Sequence, residues 1–375
     1  MRRELELKDL YSGFREPETI KAYASLIEKE SKKLSNTLSI MEVCGGHTHT
    51  IMKYGLNQLL PKKVNFIHGP GCPVCIMPKE RVDHAMVLAR LDGVILVTLG
   101  DMIKVPGSKG SLQDARAEGA DVRFVYSPID TLKIAIDNPD KKIIFFAIGF
   151  ETTTPMTSAL INQVINSGIT NILFHINHVT VPEPMRVLLD DKTNKIDAFI
   201  GPAHVSVISG SKIYDEFASE YKKPVVVSGF EPVDVIHSVY MILCQINEDR
   251  CEVEVEYSRS VNYDGNLQAQ ELNDMFFEKR ESFRWRGIGD IASSALKLKD
   301  DFAYLDAEVI YRDILPNAEI DDYKLCICGD ILKGKAIPRD CKVFQKACKP
   351  STPLGSCMVS SEGACAAYYK YGDLV

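Results

Sequence analysis

A repeated alternation of short β-branched runs and helical patterns occupies residues 39–250 and leaves few folds open to this chain. Each run ends in a Gly, Pro, Cys or His motif: Ser39–Val43, Val64–His68, Val94–Leu99, Val122–Tyr126, Ile143–Ile148, Asn171–Ile176, Ile196–Ile200 and Pro224–Val227. Such alternation is typical of βαβ units, in which helices cover parallel strands. The sequence therefore predicts an α/β fold with mainly parallel sheets.

Four consecutive units are predicted. Residues 1–38 form an N-terminal helical segment, with a packing helix over Pro17–Leu34. Residues 39–140 and 141–250 form two similar α/β domains, because HGPGCPVC after the run at Val64 resembles GPAHVSVISG after the run at Ile196, and GFETTTP resembles GFEPVD. Residues 251–375 form a C-terminal domain, with a strand over Cys251–Tyr257 and helices over Leu267–Phe277 and Ile288–Leu298.

Composition narrows the classes of partner. The net charge of −7, a single Trp and the absence of a basic run argue against nucleic acid. No stretch approaches about 20 apolar residues, and the first ten residues lack the apolar region of a signal peptide. We therefore expect a cytoplasmic protein with no membrane span, where eleven cysteines favour metal and redox chemistry over disulfides.

The C-terminal domain carries a dense group of cysteines. Four of its six follow a C-x14-C-x6-C-x16-C spacing: Cys326, Cys341, Cys348 and Cys365. Thiolates gathered in this way favour an iron–sulfur cluster or zinc. Zinc sites prefer paired C-x2-4-C ligands, which this tail lacks, so a [4Fe–4S] cluster is the favoured hypothesis. Buried free thiols are the alternative.

A second motif, Met41–His49, places Cys44 and His47 three residues apart with two glycines between them. Glycine accepts a tight backbone, so the thiolate and the imidazole can converge on one metal ion. His49 could instead fix the tautomer of a ligand. The alternative is a strand-to-helix turn with a passive cysteine.

A third motif, His68–Pro78, contains the C-x-x-C pair Cys72 and Cys75. Between a strand and a helix, this pattern is typical of redox dithiols whose first cysteine has its pKa lowered by the helix N-terminus. The pair could equally supply two soft metal ligands. A structural zinc half-site competes, but no second C-x-x-C completes it.

The Gly149–Pro155 motif predicts either an anion site at a helix N-terminus or only a capped helix. The corresponding residues of the other half, which could face the same cleft, are Pro202, His204, Glu231 and Asp234. The Gly107–Ser111 segment lacks the spacing of a phosphate-binding loop, which argues against nucleotide hydrolysis.

Taken together, Cys44–His49, Gly69–Pro78, Gly149–Pro155, Gly229–Asp234 and the tail from Cys326 to Cys365 resemble the HypD family of [NiFe]-hydrogenase maturation proteins. The resemblance implies a scaffold on which iron acquires two cyanides and one carbon monoxide. It also implies that Cys44 binds this iron beside His47, that Cys72 and Cys75 are a redox pair in the cleft, and that the four spaced tail cysteines hold a [4Fe–4S] cluster.

The resemblance further implies a HypC-type chaperone whose N-terminal cysteine shares the iron, a HypE-type cyanide donor, and the hydrogenase large subunit as recipient. Cys328 and Cys357 could then relay charge between the cluster and the cleft as a second dithiol. An iron–sulfur protein disulfide reductase, with Cys72 and Cys75 catalytic, is the alternative function. A structural adaptor with an inert cluster is a third.

Overall fold

The computed structural model describes residues 12–372, so the expectation about a signal peptide in the first ten residues lies outside it. Nine strands of this range fall where the sequence predicts them, with ends displaced by at most two residues. They are Leu38–Glu42 (β1), Val64–His68 (β2), Val94–Leu99 (β3), Val122–Val125 (β4), Lys142–Gly149 (β5), Ile172–His178 (β6), Ala198–Pro202 (β7), Val225–Ser228 (β8) and Val253–Val255 (β9).

Helices alternate with these strands, as the periodicity predicts. The α-helices up to β9 are Pro17–Ser31 (α1), Gly45–Tyr54 (α2), Leu56–Leu59 (α3), Lys79–Ala89 (α4), Leu112–Ala117 (α5), Asp130–Asp137 (α6), Thr154–Asn166 (α7), Pro182–Asp190 (α8), Ala203–Ser209 (α9), Asp215–Ser219 (α10) and Pro232–Asn247 (α11). No helix of residues 12–372 is both long enough and apolar enough to cross a lipid bilayer.

The nine strands form two parallel sheets. One has the order β2-β1-β7-β8-β9, and the other has the order β4-β3-β5-β6. Ile27 of α1, Ile40 of β1, Val226 of β8 and Ile242 of α11 belong to one core on the five-stranded sheet, and all four are fully buried. The predicted α/β class with parallel sheets is confirmed.

The division into domains at residues 140 and 141 does not match these sheets. The five-stranded sheet takes β1 and β2 from the first predicted domain and β7 and β8 from the second. The short similarities between motifs indicate only how each strand ends, whereas strand pairing depends on contacts between distant segments. The strands from Val94 to His178 form the second sheet as one insertion between β2 and β7.

The remaining residues form small sheets, short helices and loops. The bounds are Leu267–Phe276 (α12), Phe277–Lys279 (β10), Ser282–Trp285 (β11), Gly289–Ala292 (β12), Leu296–Leu298 (β13), Ala307–Ile310 (α13), Cys328–Leu332 (α14) and Ala364–Tyr371 (α15). The helix predicted over Ile288–Leu298 is wrong, since β12 pairs with β11 and β13 pairs with β10. Gly287, Gly289 and Ser293 have positive φ values of 76°, 111° and 56°, which interrupt a helix.

Candidate functional site

The predicted motifs lie together at the carboxyl edge of the five-stranded sheet. Four adjacent strands, β2, β1, β7 and β8, end directly before Gly69, Val43, Ala203 and Gly229. Ligands in open parallel sheets bind beyond such edges. The sequence motifs that contain Cys44, Cys72 and His204 therefore meet at one edge.

Close backbone contact joins the Cys44 and Cys72 loops. The Gly45 N–H donates to the carbonyl oxygen of Gly71 over 3.1 Å. A Cβ atom added to Gly71 would lie 2.2 Å from the N and Cα atoms of Cys44, and one added to Gly45 would lie 2.4 Å from Glu362. These glycines let the C-x-x-C loop and the tail pack directly against the turn that carries Cys44.

Cys44 lies two residues after β1 and directly before α2 in an extended conformation, with φ −149° and ψ 129°. Its Sγ lies 3.9 Å from Nε2 and 4.0 Å from Nδ1 of His204. Burial, together with the Glu362 carboxylate, raises the pKa of Cys44 well above its usual range. Burial also lowers the pKa of His204 to about 4. A neutral thiol and a neutral imidazole therefore face each other, and a bound cation would favour the thiolate.

His47 is held by α2 beside this pair. Its Nε2–H donates to the carbonyl oxygen of Gly229 over 3.0 Å, and its ring stacks on Phe230 with centroids 4.5 Å apart. Burial, followed by the neighbouring His204, lowers the pKa of His47 to about 4. The buried Nδ1 has no hydrogen-bond partner within residues 12–372. The side chain thus offers a free imidazole lone pair, as a metal ligand requires.

A buried carboxylate fixes the turn between β1 and α2. Glu42 accepts a hydrogen bond from His68 Nδ1 at 2.6 Å, a second from the Thr48 hydroxyl, and a third from the Cys44 N–H at 3.3 Å. The Tyr368 hydroxyl donates to His68 Nε2 over 3.3 Å. Glu42 therefore links the tail helix α15 to the backbone of Cys44.

The C-x-x-C pair lies in a turn, and α4 begins only at Lys79. The expected placement at a helix N-terminus is therefore wrong. The Cys75 N–H donates to Cys72 Sγ over 3.3 Å, and both side chains are buried. Burial, with a further contribution from Cys357, raises the pKa of Cys75 well above its usual range.

Tail cysteines extend from this pair in a continuous series of thiol contacts. Hydrogen bonds from Cys328 and Cys75 lower the pKa of Cys357 to about 6. Cys326 Sγ lies 3.2 Å from Cys328 Sγ. Cys365 also contacts Cys328, which raises the pKa of Cys365. The Ser356 hydroxyl donates to the Cys75 carbonyl and anchors the tail on the C-x-x-C turn.

Cys341 and Cys365 of the four spaced tail cysteines contact the segment 325–328, which contains Cys326. Cys341 Sγ lies 3.7 Å from the Leu325 carbonyl oxygen, and Cys348 Sγ accepts from the Leu354 N–H over 3.4 Å. A Cβ atom added to Gly355 would lie 2.8 Å from Cys326 Sγ. Within residues 12–372, no three His, Cys, Asp or Glu side chains stand in a preformed metal-binding arrangement. The donor set nevertheless fits a [4Fe–4S] cluster in chemistry and neighbourhood.

Other predicted residues have different roles. Glu231 forms an ion pair with Arg15, and Asp234 forms one with Arg259 at 2.9 Å, so both stabilise the fold. Glu151 is half-buried in the Gly149–Pro155 motif, where loss of hydration raises the pKa of its carboxyl group to about 7. Its Oε1 accepts from the Val181 N–H over 2.9 Å, and its Oε2 has no partner within residues 12–372. A carboxyl group at this position disfavours the predicted anion site.

The sequence suggested that His204 could face the cleft but did not pair it with Cys44, and it gave Glu362 no role. His204 contacts the Cys44 thiol, and Glu362 from the SSEGAC segment approaches the same turn. An open cavity of about 320 Å³ lies over this turn, lined in part by Gly46, His49, Phe230 and Glu362. Only proximity in space reveals that His204 and Glu362 adjoin Cys44, since both lie far from it along the chain.

Comparison with known proteins identifies related chains. The HypD family model, described as "Hydrogenase formation hypA family", matches residues 18–372. The chain is 50% identical over 365 residues to the hydrogenase maturation factor HypD of Azotobacter vinelandii, covering 96% of each chain. It is 49% identical to HypD2 of Bradyrhizobium diazoefficiens over 366 residues and 45% identical to HypD of Escherichia coli over 363 residues, with 96% of each chain covered.

Proposed function

The chain belongs to the HypD family of hydrogenase maturation factors, and from this premise we propose that it is the scaffold on which the Fe(CN)2CO unit of [NiFe]-hydrogenase is assembled. The main support is the group formed by the Cys44 thiol, the His204 ring and the unpartnered Nδ1 of His47. In our proposal this group and the tail cysteines are two separate sets of metal ligands.

Iron is the cargo of the first set. In our proposal Cys44 loses its proton when iron binds, because an adjacent dication offsets the burial that otherwise keeps this thiol neutral. His47 supplies Nδ1 to the iron or orients the Cys44 thiolate, and Cys72 and Cys75 complete the surroundings of the iron. A HypC-type chaperone would contribute its N-terminal cysteine through the opening beside Gly46 and His49.

Cyanide would come from a HypE-type donor that carries it as a thiocyanate. Release follows R–SCN + 2 Cys–SH → R–SH + CN⁻ + H⁺ + Cys–S–S–Cys, in which Cys72 and Cys75 are oxidised to a disulfide. The donor sulfur gains the two electrons, and one proton goes to solvent. The completed unit would then pass to the hydrogenase large subunit.

The tail can restore the dithiol by exchange. The Cys357 thiolate attacks Cys75 Sγ, so that Cys72 leaves as a thiolate and takes up a proton. Cys328 then attacks Cys357, which releases Cys75 and leaves a Cys328–Cys357 disulfide. The contacts of Cys357 with both Cys75 and Cys328, and its pKa of about 6, support this order. The relay suggested by the sequence thereby gains a physical basis.

Cys326, Cys341, Cys348 and Cys365 are the residues that we propose for the [4Fe–4S] cluster. When bound, such a cluster would supply electrons one at a time at low potential. The protein's own part is to exclude water and to bring these side chains next to Cys328.

Infrared spectroscopy of the chain, purified anaerobically with a HypC-type partner, tests the proposed function. We expect cyanide and carbon monoxide stretching bands, and we expect Cys44→Ala to lack them. The thiol series that ends at Cys72 and Cys75 also favours the alternative, a protein disulfide reductase. Absence of the bands together with reduction of a protein disulfide substrate would support the reductase and reject the scaffold.

A further inference from the structure

A cluster of lysines covers the outer side of the tail cysteines. We define this lysine patch by its six members: Lys104, Lys109, Lys324, Lys342, Lys346 and Lys349. Lys349 is half-buried, and the other five are exposed. Residues 324–354 contain seven lysines and arginines against two aspartates, in a chain whose net charge is −7. Positive charge is therefore concentrated at this part of the surface.

Loops from distant segments bring members of the patch into one region. The Leu325 carbonyl contacts the Cys341 thiol, so the loops that carry Lys324 and Lys342 are neighbours. Lys104 and residues Pro350–Leu354, which follow Lys349, line one open cavity of about 520 Å³. The fold thus brings together lysines more than 200 residues apart in sequence.

These lysines are not neutralised by the protein itself. None of the six forms an ion pair in the part of the chain that the structure describes. Three carboxylates in the surrounding loops bond other groups: Asp322 pairs with Arg286 at 2.7 Å, Asp114 accepts from the Ser111 N–H at 2.8 Å, and Asp83 accepts from the Ser108 N–H at 2.9 Å. The six lysines therefore keep their charge available to a partner in solvent.

Members of the patch are close in sequence to the exposed end of the thiol series. Lys324 and Lys342 lie within two residues of Cys326 and Cys341, which are partly exposed, whereas Cys328, Cys357 and Cys75 are buried. Tyr323 and Leu325 add exposed apolar surface, at 47% and 48% exposure. Charge around a small apolar centre is a usual composition for a transient protein interface.

We infer that the lysine patch docks an acidic one-electron carrier protein of the ferredoxin class. This inference rests on the proposed function, in which a Cys328–Cys357 disulfide must be reduced after each exchange. The disulfide gains two electrons and two protons to give two thiols, and two carrier molecules each lose one electron. Protons come from solvent. The lysines steer the acidic carrier to the side where the series reaches the surface.

A protein partner fits this surface better than a nucleic acid does. Without the six patch lysines the chain has 38 lysines and arginines against 51 aspartates and glutamates, so a long polyanion would meet net negative charge beyond the patch. The patch members are all lysines, whereas sites that grip phosphate bidentately favour arginine. We therefore expect a DNA duplex to bind the lysine patch less tightly than an acidic protein does.

Titration calorimetry with a plant-type [2Fe–2S] ferredoxin in its oxidised form tests the inference on the full-length chain. We expect binding at about 20 mM salt that weakens at least tenfold by about 200 mM. The double variant Lys342→Glu/Lys346→Glu should weaken binding at low salt by at least about tenfold. The matched control is Lys62→Glu/Lys133→Glu, since both lysines are exposed and lack an ion pair within the described residues.

The inference is overturned if wild type does not bind ferredoxin, if both double variants bind it equally well, or if a DNA duplex binds more tightly through the same lysines. Circular dichroism of each variant checks that it is folded. The proposed function has a separate readout: cyanide and carbon monoxide bands with dithionite as reductant. Bands without ferredoxin binding reject only the docking surface, and ferredoxin binding without bands rejects only the scaffold.

Discussion

Burial controls the protonation of the individual groups around Cys44. It holds the pKa of the Cys44 thiol high and those of His47 and His204 low, so all three are neutral near pH 7. Neutral imidazoles keep a lone pair for a metal ion, and a neutral thiol costs less to bury than a thiolate. In the proposed function, these neutral groups would bind a cation that the chain itself does not supply.

Gly71 is the position where a single methyl group should do most damage. Gly71→Ala would put a Cβ atom 2.2 Å from the Cys44 backbone, which cannot move without shifting β1. We expect the free energy of unfolding to fall by about 2 kcal/mol or more, as for other overpacked sites. Urea denaturation measures this fall. Gly100→Ala is the control, since a Cβ atom there meets nothing within 4 Å; equal stability of the two variants would contradict the explanation.

Glu151 should make stability depend on pH. Its pKa of about 7 in the folded chain lies above its value in the unfolded chain, so the native state holds the proton longer. Wild type should lose roughly 3 kcal/mol of stability as pH rises from about 4.5 to 8. Glu151→Gln should lack this loss and be the more stable protein at about pH 8.

Thermal unfolding across this pH range, with the exposed Glu28→Gln as control, measures the difference. Parallel stability curves for Glu151→Gln and wild type would show that Glu151 ionises normally.

At the level of elements, strand ends and loops assemble the site. Four parallel strands end at one edge, and the α2 turn, the C-x-x-C turn and the tail converge there. No single element contains the thiol series, since Cys75 lies in the turn before α4, Cys328 begins α14, and Cys357 lies in the short 3₁₀ helix Ser356–Met358. Disulfide exchange among Cys75, Cys357 and Cys328 therefore depends on how these loops are positioned.

The contacts of Cys357 predict a defined order of disulfide exchange. Starting from a Cys72–Cys75 disulfide, wild type should form Cys328–Cys357, with a rate that falls about tenfold per pH unit below about pH 6 as the thiolate is protonated. Cys357→Ser should retain the disulfide at Cys72 and Cys75. Acid quenching, alkylation and mass spectrometry locate the bond at each time.

Cys244→Ser, in helix α11, is the control and should exchange as wild type does. Exchange to Cys328 in the Cys357→Ser variant would exclude Cys357 as the relay.

For the whole molecule, the tail contributes residues to both of the proposed sites. It contributes Glu362 beside Cys44, and it also carries the six cysteines from Cys326 to Cys365. One sheet is inserted in sequence within the other, so the surroundings of Cys44 combine distant segments, whereas the four spaced tail cysteines lie in one segment. If the two proposed sites are separate, a substitution in one of them should leave the other intact.

Complementary substitutions test this separation. Cys44→Ala should abolish the infrared bands of cyanide and carbon monoxide and leave the visible absorption of the proposed cluster intact. Cys341→Ala should remove the visible absorption and destabilise the C-terminal region, because the free energy of metal binding contributes to folding. Each variant is the control for the other, measured by infrared and visible spectra of one sample. Loss of both signals in Cys44→Ala would mean that the sites are not separate.

Sequence periodicity by itself determined the nine parallel strands and their helices, because apolar spacing and glycine or proline stops act over a few residues. Motif spacing likewise identified Cys44, His47, Cys72 and Cys75 as neighbours of strand ends. Only the tertiary structure decided which strands share a sheet, that His204 rather than a nearer histidine contacts Cys44, and that lysines from two distant loops share one surface. Those outcomes depend on packing between remote segments, which local sequence patterns do not encode.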